Sequence, residues 1–418
     1  MEKTAYDVVI VGAGLSGLSA ALVAKEKGLT YKIIDARDRV GGRVYSHKLK
    51  SGLVIERGGE WLGKTHKELL AFCKKYEVAL ELHQYKHSRY FLKDGSEYRG
   101  FDTLLTSFEK YAKGLNLSTI PAKKDWYSFL KERYSEQELS IISGVYETDY
   151  GVHMRYVGAR DAFGELMEGG DTDHLDYHVK GGNIKMIEAL VREVGKKHIN
   201  LHTEVLAVHD SGVEVCIDTT KGKFYGKKVL LTVALPEYRE IAVKPALKEK
   251  KEIARSVTYG NITKAFLSFK GQMPVKKQSF SMFTETDIPH VFLATQGQSE
   301  KRFALCIYAI GPLAKKVHRL RHDVLEKKLK AVLPRDVFDI DNMQLEEVVV
   351  QNWGADRYTK GAYCHYGPGK HEEVRKAFGV PHGNIYFAGA YLGELSGYMN
   401  GAFQSGRDTM RDIVKSLK

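Results

Sequence analysis

An apolar strand running into three spaced glycines, similar apolar segments in the middle and at the end of the chain, and two intervening stretches of different character predict an α/β protein. One domain is expected to be Rossmann-like and assembled from discontinuous segments, 1–80, 180–255 and 380–418. The other, 81–179 and 256–379, is expected to be an α+β domain with a mixed sheet and helices. At 418 residues the chain is long for one core, so two domains are the default.

The first element is Asp7-Val-Val-Ile-Val11, followed by Gly12-Ala13-Gly14-Leu15-Ser16-Gly17 and a helix-forming stretch. Gly12 permits the tight turn, Gly14 leaves room for backbone to approach a pyrophosphate, and Gly17 lets the helix pack close to the strand. The helix start offers free N–H groups and a positive dipole end to phosphates. A second apolar run, Lys32-Ile-Ile-Asp35, ends in a carboxylate that can accept ribose hydroxyls. Strand, glycines, helix and acid in this order describe a dinucleotide site. The segment continues through Ala36 and Arg37 to Gly41-Gly42-Arg43, where backbone can pass close to phosphate and Arg43 can pair with it in bidentate fashion. A second phosphate clamp directly after the acid suits a flavin better than a nicotinamide cofactor, so FAD is preferred over NAD.

Thr65-x-x-Glu68 predicts a capping box opening a helix through about Tyr76. Residues 85–175 are aromatic and helix-rich, with Ser135-x-x-Glu138 as a second capping box. After Gly181-Gly182 a helix is expected over about Ile184 to Lys197, then strands at His202–His209, Val213–Asp218 and Lys228–Pro236. Residues 262–310 are strand-like, including Thr263–Phe269. The last strand, Asn384–Gly389, precedes Gly401–Gly406, which starts or lines a final helix.

Composition narrows the class. A hydrophobic content of 43% with 28% charged residues describes a globular protein. No apolar run reaches membrane-span length, no secretory signal is visible, and the four scattered cysteines form no CxxC, so a reduced cytoplasmic setting is expected. Net charge is +12, yet the lysines are diffuse. The most basic stretch, His318–Leu333, keeps an apolar face and reads as a surface helix with a solvated basic face rather than a nucleic-acid element. A positive chain also repels cationic substrates at long range, so local acids near a site would matter. The 16 histidines show no metal-binding spacing, and no Gly-x-Ser-x-Gly appears, so neither a metal nor a serine nucleophile is expected.

Several motifs in order resemble the flavin monoamine oxidase family: Gly12–Gly17, Asp35, Val40-Gly-Gly-Arg43, Gly58-Gly59-Glu60-Trp61, Gly181-Gly182, Val229–Val233, Trp353, Gly361-Ala-Tyr363, Tyr386-Phe-Ala-Gly389 and Gly397-Tyr-Met-Asn-Gly-Ala402. The intervals 85–175 and 270–345 match poorly. The resemblance implies FAD contacts at Gly12, Ala13, Gly14, Ser16, Gly17, Asp35, Ala36, Arg37, Gly42, Arg43, Gly58, Gly59, Glu60, Trp61, Gly389, Ala390, Tyr398, Met399 and Ala402, with adenine on backbone near Val205. It places Trp353 and Tyr358 near the isoalloxazine. It implies that Tyr363 and Tyr398 flank the substrate amine, and that Lys264 assists reaction with oxygen through a water at flavin N5. Lys264 lies on an otherwise apolar strand, where a lysine costs desolvation unless it finds a partner.

Three departures from the family pattern qualify these expectations. Ala362 stands where some members carry the cysteine that binds FAD covalently, and Cys364 lies on the other side of Tyr363, so non-covalent FAD is expected. Phe387-Ala-Gly-Ala-Tyr391 replaces Phe-Ala-Gly-Glu-His; Glu394 is a candidate replacement for the lost carboxylate. Gly59-Glu60-Trp61 lacks the arginine with which amino-acid oxidases clamp a carboxylate, although Arg89 or Arg160 could supply one. The expected activity is FAD-dependent oxidation of an amine, a primary (aryl)alkylamine being favoured, with O2 as acceptor and H2O2 as product. An L-amino acid oxidase or polyamine oxidase is the alternative, and a non-catalytic flavin module a distant one. The partners are then a small-molecule amine and O2, without a transmembrane anchor; a homodimer is left open.

Overall fold

The computed structural model describes residues 5–83, 89–168, 176–272, 280–394 and 396–418. An eight-stranded sheet draws on the start, middle and end of the chain. Its central strand, Ala5–Val11, pairs in parallel with Tyr31–Ile34 on one side and Gly222–Leu231 on the other, and Ile385–Phe387 adds in parallel to the end of the latter. Val8, Val9, Ile10 and Val11 are all buried, which is why this strand is a continuous apolar run instead of an alternating one. Antiparallel strands Val215–Thr219 and Val205–Asp210 extend the sheet. The helix Leu15–Glu26 is buried from Leu15 through Ala24, because the sheet covers one side and the final helix, Met399–Ser416, another. Ser19 Oγ ties the two helices by donating to the Phe403 carbonyl at 2.8 Å.

A second, six-stranded sheet runs in the order Gln344–Asn352, Ile262–Lys270, Arg302–Ile310, His290–Leu293, Ser281–Thr284, Arg89–Phe91. Every residue of Ile262–Phe269 is buried. Helices Phe101–Lys113, Glu136–Tyr150 and Ala159–Glu168 gather round Phe108, Trp126 and Phe163 beside this sheet. Among the described residues no helix is long and apolar enough to cross a membrane.

Two local expectations need correction. The capping box at Ser135 forms, with Glu138 accepting from Ser135 N at 2.9 Å. The one at Thr65 does not: the helix Lys67–Lys75 starts after His66, whose Nδ1 instead accepts from Gly63 N at 3.0 Å. The basic stretch is not one helix. Gly311–Arg319 and His322–Val332 are separated at Leu320, whose backbone is extended. The break lets Val317 from one helix and Leu325 and Leu329 from the other pack into the same core.

Candidate active site

A trough of ≈ 360 Å³ runs along the ends of the central parallel strands. Its first wall is the opening glycine turn. Gly12 has φ +110°, and a Cβ there would overlap Thr232 Oγ1. Gly17 faces away from the trough, where a Cβ would overlap the Gly12 carbonyl; it serves the close strand–helix contact, as its spacing predicts. Ala13 is also behind the wall, its N–H donating to Asp35 Oδ2 at 2.7 Å. Asp35 Oδ1 accepts from Arg37 N at 2.8 Å, so both carboxylate oxygens are oriented by backbone while retaining acceptor capacity. Burial pushes the Asp35 carboxyl above its ordinary range, against the pull of these two N–H groups.

Gly14, Ser16, Ala36, Arg37, Gly42 and Arg43 continue this wall. Arg37 is committed elsewhere, pairing with Asp356 at 2.6 Å. Ser16 Oγ lies in the first helical turn, is buried, and has no hydrogen-bond partner among the described residues. An orphaned hydroxyl beside free helix N–H groups fits a phosphate. Val205, Trp353, Tyr358, Gly389, Ala390 and Ala402 also line the trough. Tyr358 stands beside Arg37, whose guanidinium carbon is 5.2 Å from its ring centroid, so it belongs with the Asp35 side of the trough and not with Trp353. The indole of Trp353 donates to the Arg57 carbonyl at 2.9 Å. These residues fit FAD: a glycine-lined end for its diphosphate, a buried acid for a ribose, and an aromatic end for its ring system.

At the aromatic end the trough meets a second chamber of ≈ 370 Å³. Gly59, Glu60, Trp61, Tyr308, Tyr363, Tyr398 and Met399 line both. Lys264 lies at this junction. Its ammonium pairs with Glu60 at 2.5 Å, donates to the Gly58 carbonyl at 3.3 Å, and is ringed by Trp61, Phe266 and Phe292 at 5.5–5.7 Å. Burial alone would pull Lys264 down, but the charge and hydrogen bond of Glu60 hold it above its ordinary value. The lysine therefore stays an ammonium although its side chain is almost wholly buried. Glu60 is therefore not a free anion that would repel a carboxylate; its charge is spent on Lys264. Glu56, two residues before the Gly58-Gly59 pair, is buried too and is pushed up to about 8, chiefly by burial.

Sequence reasoning missed Tyr308, which sits opposite Lys264 across the antiparallel ladder and hydrogen-bonds Tyr363. No local motif signals it, because the pairing spans 44 residues of chain and depends on strand register. Of the two arginines considered as clamps, Arg89 is bound by Glu97 and Asp336 and is absent from the chamber wall. Arg160 reaches that wall, with its guanidinium donating to the Ile120 carbonyl. Glu394 faces the chamber and not the trough. Tyr391, where the family carries its histidine, is buried with its hydroxyl 2.9 Å from that of Tyr238.

A dinucleotide trough opening on an aromatic chamber is the arrangement of a flavin-dependent oxidoreductase. The chain belongs to the flavin containing amine oxidoreductase family, which it matches over residues 15–414. It is 22% identical to the flavin-containing amine oxidase of Danio rerio, covering 100% of this chain and 87% of that one. It is 24% identical to an L-amino-acid oxidase of Vipera ammodytes ammodytes, covering 98% and 93%. In structure it is similar to a putrescine oxidase bound to putrescine, with a TM-score of 0.86 at 19% identity over 99% of this chain and 100% of the other. FAD is the cofactor of this family.

Proposed function

We propose that this protein oxidises a primary amine whose tail carries no negative charge, passing the electrons to O2 and releasing H2O2. The observation that carries the reading is the junction: Tyr363 and Tyr398 line both cavities, and Lys264 stands at the same place. FAD, held non-covalently with Ala362 beside Tyr363, supplies a two-electron acceptor for hydride from the amine α-carbon and a reductant for oxygen. Tyr363 and Tyr398 give the amine π-faces and align its α-carbon. The buried wall excludes water from the reacting carbon. The fixed ammonium of Lys264 stabilises negative charge as oxygen is reduced. The imine that leaves hydrolyses to an aldehyde and ammonia.

No side-chain base is needed for a hydride transfer, which suits a junction whose one acid among the described residues, Glu60, is tied to a lysine. Segments 1–80, 180–255 and 380–418 would form the FAD-binding domain, with the rest forming the substrate domain. Free thiols at all four cysteines agree with a cytoplasmic setting. Peroxide release should be assayed with phenylethylamine, tyramine, putrescine and a panel of L-amino acids. Turnover of an amine is expected; turnover of an L-amino acid alone would overturn the substrate reading.

A further inference from the structure

The outer chamber has the opposite electrostatic character to the chain that encloses it. The protein carries a net charge of +12, yet Asp149, Asp161, Glu165 and Glu394 face this chamber against two guanidinium groups, Arg160 and Arg375. Arg160 is already engaged by the Ile120 carbonyl. The charge of Asp149 reaches Tyr363 and Tyr308, so the acidic wall begins beside the two tyrosines. Glu165 bonds the hydroxyl of Tyr150 on the same wall.

Two further observations point to a ligand. His365 is 9% exposed, lines the chamber, and has no hydrogen-bond partner for Nε2 among the described residues. Its ring packs on Tyr150 with centroids 5.4 Å apart, and its other nitrogen donates to the Tyr150 carbonyl. Burial lowers His365 to about 4, so at neutral pH Nε2 is a bare acceptor waiting for a donor. Then there is the helix Glu136–Tyr150, whose C-terminal end delivers Thr148, Asp149 and Tyr150 to the chamber. A helix C-terminus favours cations, but this last turn holds Glu147 and Asp149 and no basic residue. The unpartnered acceptor of His365 and the negative end of this helix face the same chamber, and an ammonium group suits both.

We infer that the outer chamber binds a second ammonium group of the substrate, so that the amine oxidised at Tyr363 and Tyr398 is one end of an aliphatic diamine or polyamine whose other end lies among Asp149, Glu165 and His365. The inference rests on the amine-oxidase reading above and narrows its substrate. Carboxylates and a neutral imidazole accept hydrogen bonds from an ammonium, and the helix end adds a favourable dipole. A carboxylate tail would meet the same acids and be repelled.

The test uses the purified holoenzyme mixed anaerobically with 1,5-diaminopentane or with pentylamine, which has the same carbon chain and one ammonium. Flavin reduction is expected to be at least about tenfold more efficient (kcat/KM) with the diamine, the equivalent of one well-placed charge contact. Asp149→Asn and Glu165→Gln should each lower the diamine-to-monoamine ratio about fivefold or more, mostly through KM, and Asp149→Glu should restore part of it. Hexamethonium, a dication that cannot be oxidised, should bind the wild-type protein more tightly than a monovalent quaternary amine by calorimetry, and Asp149→Asn should erase the difference. Equal reduction by both amines, with a ratio that the variants do not move, would overturn the subsite while leaving amine oxidation standing. Failure of every amine to reduce the flavin would overturn both.

Discussion

The trough and the chamber have nearly the same volume, ≈ 360 and ≈ 370 Å³, and are built by opposite means. The trough is shaped mainly by backbone: glycines at 12, 14, 42, 58, 59 and 389, one oriented acid, and a helix start. The chamber is shaped by side chains from distant elements, with tyrosines, carboxylates and histidines at its surface. A cofactor common to a whole family can be held by geometry that only glycine permits. A substrate peculiar to one member is selected by side chains that can change without disturbing the fold. Lys264 and Glu60 belong to neither scheme alone; they close the seam between the two.

Filling the trough should have the largest effect. Gly14 has an ordinary extended backbone and nothing nearer to an added Cβ than Gly42 Cα at 3.9 Å, so Gly14→Val adds bulk without straining the chain. The variant should fold, by circular dichroism, and lose its flavin on gel filtration, a drop in affinity of about 100-fold or more. Retention of yellow colour would remove the backbone cradle from the account. Next, Lys264→Met should keep the flavin but slow its reoxidation by O2 about 100-fold, the size of losing one fixed charge at a developing anion. Unchanged stopped-flow reoxidation would leave the lysine a structural role only.

Glu60→Gln probes the seam more finely. With its partner neutralised, Lys264 keeps the burial that pulls it down and loses the charge that holds it up. Reoxidation in the variant should therefore fall as pH rises through a lowered lysine value, while the wild type stays flat over the same range. A profile identical to wild type would show that the pair does not set the lysine's charge. Glu56→Gln concerns stability. Glu56 is held protonated up to about pH 8 in the fold but ionises near 4.5 when unfolded, so wild-type stability declines as pH rises from about 4.5 to 8. Relative to wild type, Glu56→Gln should gain stability across that window, by a few kcal/mol at its top, and gain nothing below it. Thermal melts at pH 5 and pH 8 compare the two. The smallest effect should be that of Ser16→Ala, which removes one hydroxyl from the trough and should weaken flavin binding about threefold to tenfold.

The same contrast explains what could be read from the sequence. Gly12, Gly14, Gly17 and Asp35 are legible because strand, turn and helix follow one another in the chain, and each glycine answers a local steric demand. Lys264 stands out because a charge on an eight-residue buried run needs an explanation. Its partner does not stand out: Glu60 lies 204 residues away, and only the fold brings them together. Tyr308 depends on ladder register, and Asp149, Glu165 and His365 on how two helices meet a short strand, none of which is encoded in local pattern. Thr65 illustrates the opposite error, since a capping signal was present but His66 took the turn.

The central claim is that an amine enters between Tyr363 and Tyr398 and is oxidised at a flavin held in the trough. An anaerobic titration of the purified protein with amines, followed in the visible flavin band, measures this directly. The protein should be yellow, lose its colour when an aliphatic amine is added, and regain it in air with release of peroxide. A protein that binds FAD but keeps its colour with every amine, or that only L-amino acids bleach, would contradict it.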